Sequence, residues 1–212
     1  MIKKALLALA IAGAVSTAQA TVVVSENFDS VSALASKGWI LSNLSTPTPI
    51  SGWLQGNASV LTAQSGADNS FISSSYLNAP PGGTLSNWLV TPIFSTVYGA
   101  HVSFWVNAED AGADFSDKIA YGFIDAAGEF STAVLSQVIT VTTGAWTQIT
   151  AEIGNTPGSA RFAIQYTGAA DASDYLGVDS LTVDVPEPSS IAILAAGIMG
   201  LTAARRRKNK QA

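Results

Sequence analysis

Between residues 21 and 185 apolar side chains recur at every second position in short runs, and no window keeps a 3.6-residue period for long. Val102, Phe104 and Val106 alternate with Ser103, Trp105 and Asn107; Ile119, Tyr121 and Phe123 alternate with Ala120 and Gly122; Phe162, Ile164 and Tyr166 alternate with Arg161, Ala163 and Gln165. A period of two sends successive side chains to opposite faces of an extended chain, so each run reads as a strand with one buried face. Val22 to Phe28, Trp53 to Thr62, Trp88 to Thr91, Val134 to Val141, Trp146 to Ile153 and Leu176 to Val183 are further candidates. Turn chemistry such as Asn78-Ala79-Pro80-Pro81-Gly82-Gly83, Asp125-Ala126-Ala127-Gly128 and Asn155-Thr156-Pro157-Gly158 separates them. Many short strands joined by polar turns predict an all-β sandwich or barrel. Ser30 to Ser36 is the one weak helical turn, and Ser42 to Ser51 reads as an extended surface loop.

The two ends are built differently. Lys3 and Lys4 precede the apolar run Ala5 to Val15, and Ala18-Gln19-Ala20 offers small residues at a cleavage site. That order is a secretory signal peptide, handed to the Sec machinery and cut by signal peptidase after Ala20. At the other end Pro186-Glu187-Pro188 is followed by apolar residues 189 to 204 and then by Arg205, Arg206, Arg207, Lys208 and Lys210. Positive charge after an apolar helix holds that end in the cytoplasm. The stretch has 16 residues, just under the roughly 17 to 25 of a spanning helix, which makes it a marginal anchor.

The order Pro-Glu-Pro, short apolar helix and terminal Arg cluster resembles the PEP-CTERM sorting signal of Gram-negative bacteria. The resemblance implies processing by the membrane enzyme exosortase, a transient inner-membrane intermediate, and delivery to the cell surface or medium. The expected organisation is thus a signal peptide over 1–20, one domain over 21–185 and a sorting tail over 186–212.

Within the domain, three basic residues (Lys37, Lys118 and Arg161) stand against all but one of the chain's 15 acidic ones. Such a surface argues against nucleic acid and anionic lipid as partners. It is compatible with divalent cations or a neutral polysaccharide. The chain has no cysteine, so no disulfide supports the fold in a compartment that would permit one.

Glu26-Asn27-Phe28-Asp29, Gly52-Trp53, Asn87-Trp88-Leu89-Val90-Thr91-Pro92, Val102-Ser103-Phe104-Trp105, Trp146-Thr147-Gln148 and Leu176-Gly177-Val178-Asp179-Ser180-Leu181-Thr182-Val183 resemble the choice-of-anchor J and cleaved-adhesin group, which is related to MAM-type jelly rolls. The resemblance implies a jelly-roll β-sandwich used as a module of surface proteins and adhesins, with structural calcium in some members. The family often ends on two adjacent acids, where this chain has only Asp179.

Strand parity adds a reading of its own. Glu26 shares a face with Val22, Val24 and Phe28, and Asp179 shares one with Leu181 and Val183 if no bulge intervenes. An inward carboxylate is costly unless it is paired or bound to a cation. Glu26, Asp179 and Asp29 are therefore candidate calcium ligands, with Asp68, Asn69 and Asp174 in reserve. The alternative places Glu26 and Asp179 at a sandwich rim, solvated or bonded to backbone amides. Glu109, Asp110, Asp114 and Asp117 form an acidic loop, read as a solvated rim or a weak calcium site. Trp105 alternates away from Phe104 and is the candidate sugar-stacking residue among five tryptophans; core packing accounts for Trp39, Trp53, Trp88 and Trp146.

Nothing points to catalysis. His101 is the only histidine, no Gly-x-Ser-x-Gly elbow supplies a nucleophile, and acids such as Glu129 and Glu152 are too common here to single out a pair. The expected function is a non-catalytic adhesion or binding module associated with exopolysaccharide or a cell-surface glycan. The alternatives are a dedicated carbohydrate-binding module and a sandwich-fold glycoside hydrolase or peptidase. Intact-mass measurement on extracellular protein from the native host should show loss of residues 1–20 and of the apolar tail; full-length chain resident in the inner membrane would contradict this processing.

Overall fold

The computed structural model describes residues 20–187 and Gly197. The expected signal peptide up to Gln19, Pro188, and the apolar tail with its Arg cluster lie outside the described residues. Among the described residues, no helix is long and apolar enough to cross a membrane.

The alternating runs become two packed antiparallel sheets, a jelly-roll β-sandwich. In chain order the strands are β1 (Ala20–Glu26), β2 (Ile40–Asn43), β3 (Leu54–Gln55), β4 (Ile72–Ser75), β5 (Thr84–Val90), β6 (Phe94–Ser95), β7 (Ala100–Ala108), β8 (Lys118–Asp125), β9 (Val134–Leu135), β10 (Ile139–Thr140), β11 (Thr147–Ile153), β12 (Ser159–Ala169) and β13 (Tyr175–Pro186). One sheet has six strands in the order β11-β7-β13-β4-β3, with β1 also paired to β13. The other has seven in the order β10-β8-β12-β5-β2, with β6 on β12 and β9 on β8. Ser30 to Ser36 contributes two 3₁₀ turns, Val31–Ala33 and Ala35–Lys37.

The apolar faces of the three clearest alternating runs turn inward. Val102, Phe104 and Val106 of β7 meet Phe162, Ile164 and Tyr166 of β12 in a continuous core. The Phe104 ring lies 5.7 Å from Phe162 and 5.6 Å from Tyr121, the separations at which tilted aromatic pairs add to area burial. The seven-stranded sheet is also covered on its far side, where Trp88, Val90, Ile124 and Ala163 pack with Phe130, Ala133 and Leu135. Trp88 and Phe130 sit 5.1 Å apart. Alternation in β8 therefore separates two apolar clusters, which is why Ala120 and Ile124 are as buried as Ile119.

Three expectations are corrected. Trp53 to Thr62 yields only the two-residue β3, and Val134 to Val141 breaks into β9 and β10, each paired to β8. The supposed loop from Ser42 begins inside β2, which pairs with β5 through Asn43↔Asn87. The serine-rich β4 gave no apolar signal, yet Ser73 and Ser74 are buried because their hydroxyls bond Leu54 O, Gln55 O and the amides of Asn78 and Asn87.

At Gly122 of β8 a Cβ would stand 2.0 Å from the carbonyl oxygen of Val134. Only a residue without a side chain lets β9 close over β8. Gly122→Ala should cost about 3 kcal/mol by overpacking, a fall of roughly 10 °C in Tm for a domain of this size, measured by calorimetry.

Candidate functional site

Several sequence-predicted candidates lie on the outer face of the six-stranded sheet, where a bulge in β13 positions them. β13 runs beside β7 with Val178↔Val106 and Asp179↔Trp105, then resumes at Thr182↔Ser103. One extra residue is inserted, and Ser180 takes a left-handed φ of 49°. Parity resets there: Leu176 and Val178 before the bulge, and Leu181 and Val183 after it, all enter the core. Asp179 therefore does not share a face with Leu181 and Val183. It shares the outer face with Gly177.

Asp179 is nonetheless fully buried, because the loop 56–71 lies over it. The Gln64 and Ser65 amides donate to Oδ2 at 2.9 and 3.1 Å, and the Ser180 amide donates to Oδ1 at 2.6 Å. Gly177 makes room for this cover, since a Cβ there would meet Phe71 at 2.7 Å and Trp146 at 3.0 Å. Phe71 and Trp146 stack edge-on at 5.8 Å, and the Trp146 indole donates to Thr62 O. Asn57 N donates to the Tyr175 hydroxyl.

Glu26 lies inside as parity predicts, 6% exposed. Its Oε2 accepts from Lys37 Nζ at 2.8 Å and its Oε1 from Phe28 N at 3.0 Å. Lys37 is half exposed, so the screened pair contributes on the order of 1 kcal/mol. All oxygens of Glu26 and Asp179 thus face N–H donors or an ammonium. Such a donor set holds a carboxylate without a shared cation. Asp29 is exposed and stands near Gly66. Among the described residues, no three Asp, Glu or His side chains converge as metal ligands.

Trp105 is half-buried on the outer face, opposite Gln148 and Asp179. Trp39 and Trp53 join the main core, Trp88 the second cluster. His101 lies in register between Glu152 of β11 and Asp184 of β13. Glu129 follows β8 in the other sheet, so it does not pair with Glu152.

Sequence reasoning missed an open cleft of about 630 Å³ at one end of the sandwich. Ile50, Tyr76, Leu77, Phe115, Asp171 and Asp174 line it. Tyr76 and Phe115 keep 44% and 42% of their surface exposed. The cleft's residues come from four separate loops, so no local pattern marks them. Asp171 is fixed by Gly82 N at 2.9 Å.

Behind the cleft lies an acidic group. Asp117, 2% exposed, accepts from the Tyr166 hydroxyl and from Asp174 N. Desolvation raises its carboxyl above the ordinary value, against the lowering effect of those bonds. Burial, then contact with Asp174, raises Glu109. Desolvation raises Asp179, partly offset by its amide donors. Tyr166 is pushed up by burial and by Asp117.

Residues 184–208 match the PEP-CTERM protein-sorting motif. No curated protein is significantly similar to the chain in sequence. Among solved structures, the K1 cleaved adhesin domain of Lys-gingipain from Porphyromonas gingivalis W83 is similar in fold, with 21% identity, 79% of this chain and 99% of that one covered, and a TM-score of 0.60. The K3 domain from the same organism follows at 19% identity, 77% and 99% coverage and a TM-score of 0.52. The K2 domain gives 16% identity, 76% and 98% coverage and a TM-score of 0.56. The chain is an all-β jelly roll of the cleaved-adhesin shape. A PEP-CTERM sorting motif closes it.

The raised carboxyls carry a pH consequence. A folded-state value above the unfolded one means that the native state takes up protons first as pH falls. Stability should therefore rise as pH drops from neutral through the raised values of Asp117, Asp179 and Glu109, with the gain complete below the ordinary carboxylate range. Asp179→Asn should remove its share of that rise. It should also destabilise at neutral pH by about 1–3 kcal/mol, because the new NH₂ group leaves an amide donor without an acceptor. Urea denaturation as a function of pH measures both.

Proposed function

We propose that this is an exported, exosortase-sorted surface protein whose jelly roll is a non-catalytic binding module, and that the end cleft holds a segment of neutral polysaccharide. The cleft is the observation that carries the reading. Two exposed rings, Tyr76 and Phe115, stand in one open depression with the carboxylates of Asp171 and Asp174. Aromatic faces stack on the C–H faces of sugar rings, and carboxylates accept from sugar hydroxyls, a combination of apolar walls and few polar groups typical of ligand sites. The acidic domain surface disfavours anionic polymers, which leaves neutral chains as the better match. The sorting motif at residues 184–208 supports placing this cleft outside the cell, among exopolysaccharide.

The non-catalytic part rests on the disposition of the reactive groups. His101 stands between two acids on a sheet face away from any nucleophile elbow, and Glu129 and Glu152 belong to different sheets.

Affinity electrophoresis of the processed protein through a panel of neutral and acidic polysaccharides tests the reading. At least one neutral polymer should retard migration, and Tyr76→Ala and Phe115→Ala should each weaken binding about tenfold. This takes loss of one stacking partner as about 1.4 kcal/mol, a tenfold change in affinity. Trp105→Ala should leave retardation unchanged. Retardation lost with Trp105→Ala and kept in the cleft variants would move the site to the sheet face.

A further inference from the structure

Resting on the reading of this chain as exported and exosortase-sorted, we propose that Glu187 stays with the mature domain as the partner of its new N-terminus, so that the sorting cut falls on the tail side of Glu187 and before Ile191. The two ends of the domain touch. β1 begins at Ala20 and β13 ends at Pro186, the two strands are paired, and the Thr21 hydroxyl donates to Glu187 Oε1 at 3.0 Å. Residues 166 positions apart in sequence therefore meet where both processing signals adjoin the domain.

The first cut creates a charge at this contact. Hydrolysis of the Ala20–Thr21 bond puts the oxygen of a water on the Ala20 carbonyl carbon and frees the Thr21 nitrogen as an α-ammonium. That nitrogen is separated from Oγ1 only by Cα and Cβ, so it lies within about 3 Å of the hydroxyl, and a change of side-chain rotamer brings it onto the Glu187 carboxylate. In a domain with three basic residues it is a new cation. The other acids of the two strands stand elsewhere: Glu26 accepts from Lys37, and Asp184 lies in register with His101. Glu187 thus receives both the hydroxyl and the ammonium of the new terminus.

The second cut is confined from both sides. On the domain side, Val185 packs against the core, Pro186 is the last residue of β13, and Glu187 is bonded to Thr21. A peptidase draws several residues of extended backbone into its cleft, so a bond upstream of Glu187 opens only when the end of β13 leaves the sheet. On the tail side, bonds from Ile191 onward belong to the apolar run, and a bilayer core holds no water to receive an acyl group. The interval left is Glu187-Pro188-Ser189-Ser190-Ile191. There the acyl carbon loses the tail nitrogen, which departs as an amine, and takes water or an amine acceptor in its place. The glutamate of the sorting motif then keeps a second use, holding the N-terminus after the tail has gone. An exposed pair is weak, so it governs fraying of the terminus and not the stability of the domain.

Mass spectrometry of the C-terminal peptide of protein exported by the native host, fragmented to read its last residue, locates the cut. That residue should lie between Glu187 and Ser190. Exported protein that has lost its tail but ends at or before Pro186, or at Ile191 or beyond, overturns the proposal and leaves exosortase sorting standing; exported protein with its tail intact removes the sorting reading and the proposal together. Periodate probes the contact itself, since it cleaves an N-terminal threonine through its free amine and adjacent hydroxyl. The tail-bearing chain, exported by a host without exosortase so that sorting does not enter, should be oxidised at Thr21 roughly two- to fivefold more slowly than its Glu187→Ala variant. Tm should be the same in both, and Asp184→Asn should match the unaltered chain. Equal rates with and without Glu187, or an N-terminus unreactive to periodate in Glu187→Ala, overturns the proposal.

Discussion

β13 is bonded to three strands, β1, β4 and β7, and the single extra residue at Ser180 decides which of its side chains enter the sandwich. Without the insertion, a strand with Leu176 and Val178 inside would send Leu181 and Val183 outward. The bulge lets both halves of the strand face the core, and it turns Asp179 to the opposite surface. The loop 56–71 then has an anchor. Its amides at Gln64 and Ser65 close on that carboxylate, and Phe71 and Trp146 seal the area above Gly177. The covered sheet face and the buried acid both follow from one change of register.

A chain with many acids, few bases and no cysteine has limited means of holding itself together. It relies on backbone amides as counter-charges. Asp125 Oδ1 accepts from Gly128 and Glu129, Asp171 from Gly82, Asp117 from Asp174, and Asp179 from three amides. Each bond fixes a turn or a loop to the sandwich without a partner side chain. At Asp117 and Asp179 the amide donors partly offset the cost of burying the charge, and they do so only while the loop stays closed, so loop geometry and titration are linked in this fold.

The strands whose burial depends on hydrophobicity were legible. β7, β8, β11 and β12 lie where alternation puts them, and β13 does so on either side of its bulge, because the inward positions are mostly Val, Ile, Leu, Phe and Tyr. β4 was not, since Ser73 and Ser74 are buried through hydroxyl bonds that leave no apolar trace. The run beginning at Trp53 misled for the opposite reason. Trp53 belongs to the core, but Gly56 must pass against Phe71, where a Cβ would lie 2.4 Å from the ring, and the chain leaves the sheet. Inward burial of Glu26 could be read from parity; its partner Lys37 could not, because the 3₁₀ turns that return it are a tertiary arrangement. Asp179 was legible as buried and illegible as to where, since a one-residue bulge has no sequence signature beyond the residues themselves. The cleft of Tyr76 and Phe115 was invisible because its walls meet only in three dimensions.

The scarcity of bases has a further consequence, for survival outside the cell. An enzyme that cuts after lysine or arginine finds three such residues in the domain, and each is held in a structured element. Lys37 closes a 3₁₀ turn and is clamped on Glu26. Lys118 lies in β8 between β10 and β12. Arg161 lies in β12 with its guanidinium on three carbonyls. A protease needs several residues of free extended backbone, and here each such bond becomes available only when strands separate or the 3₁₀ turn held by the Lys37–Glu26 pair opens. Resistance to trypsin-like digestion is thus carried by the same interactions that hold the sandwich closed, and its lifetime is set by the equilibrium between closed and open states.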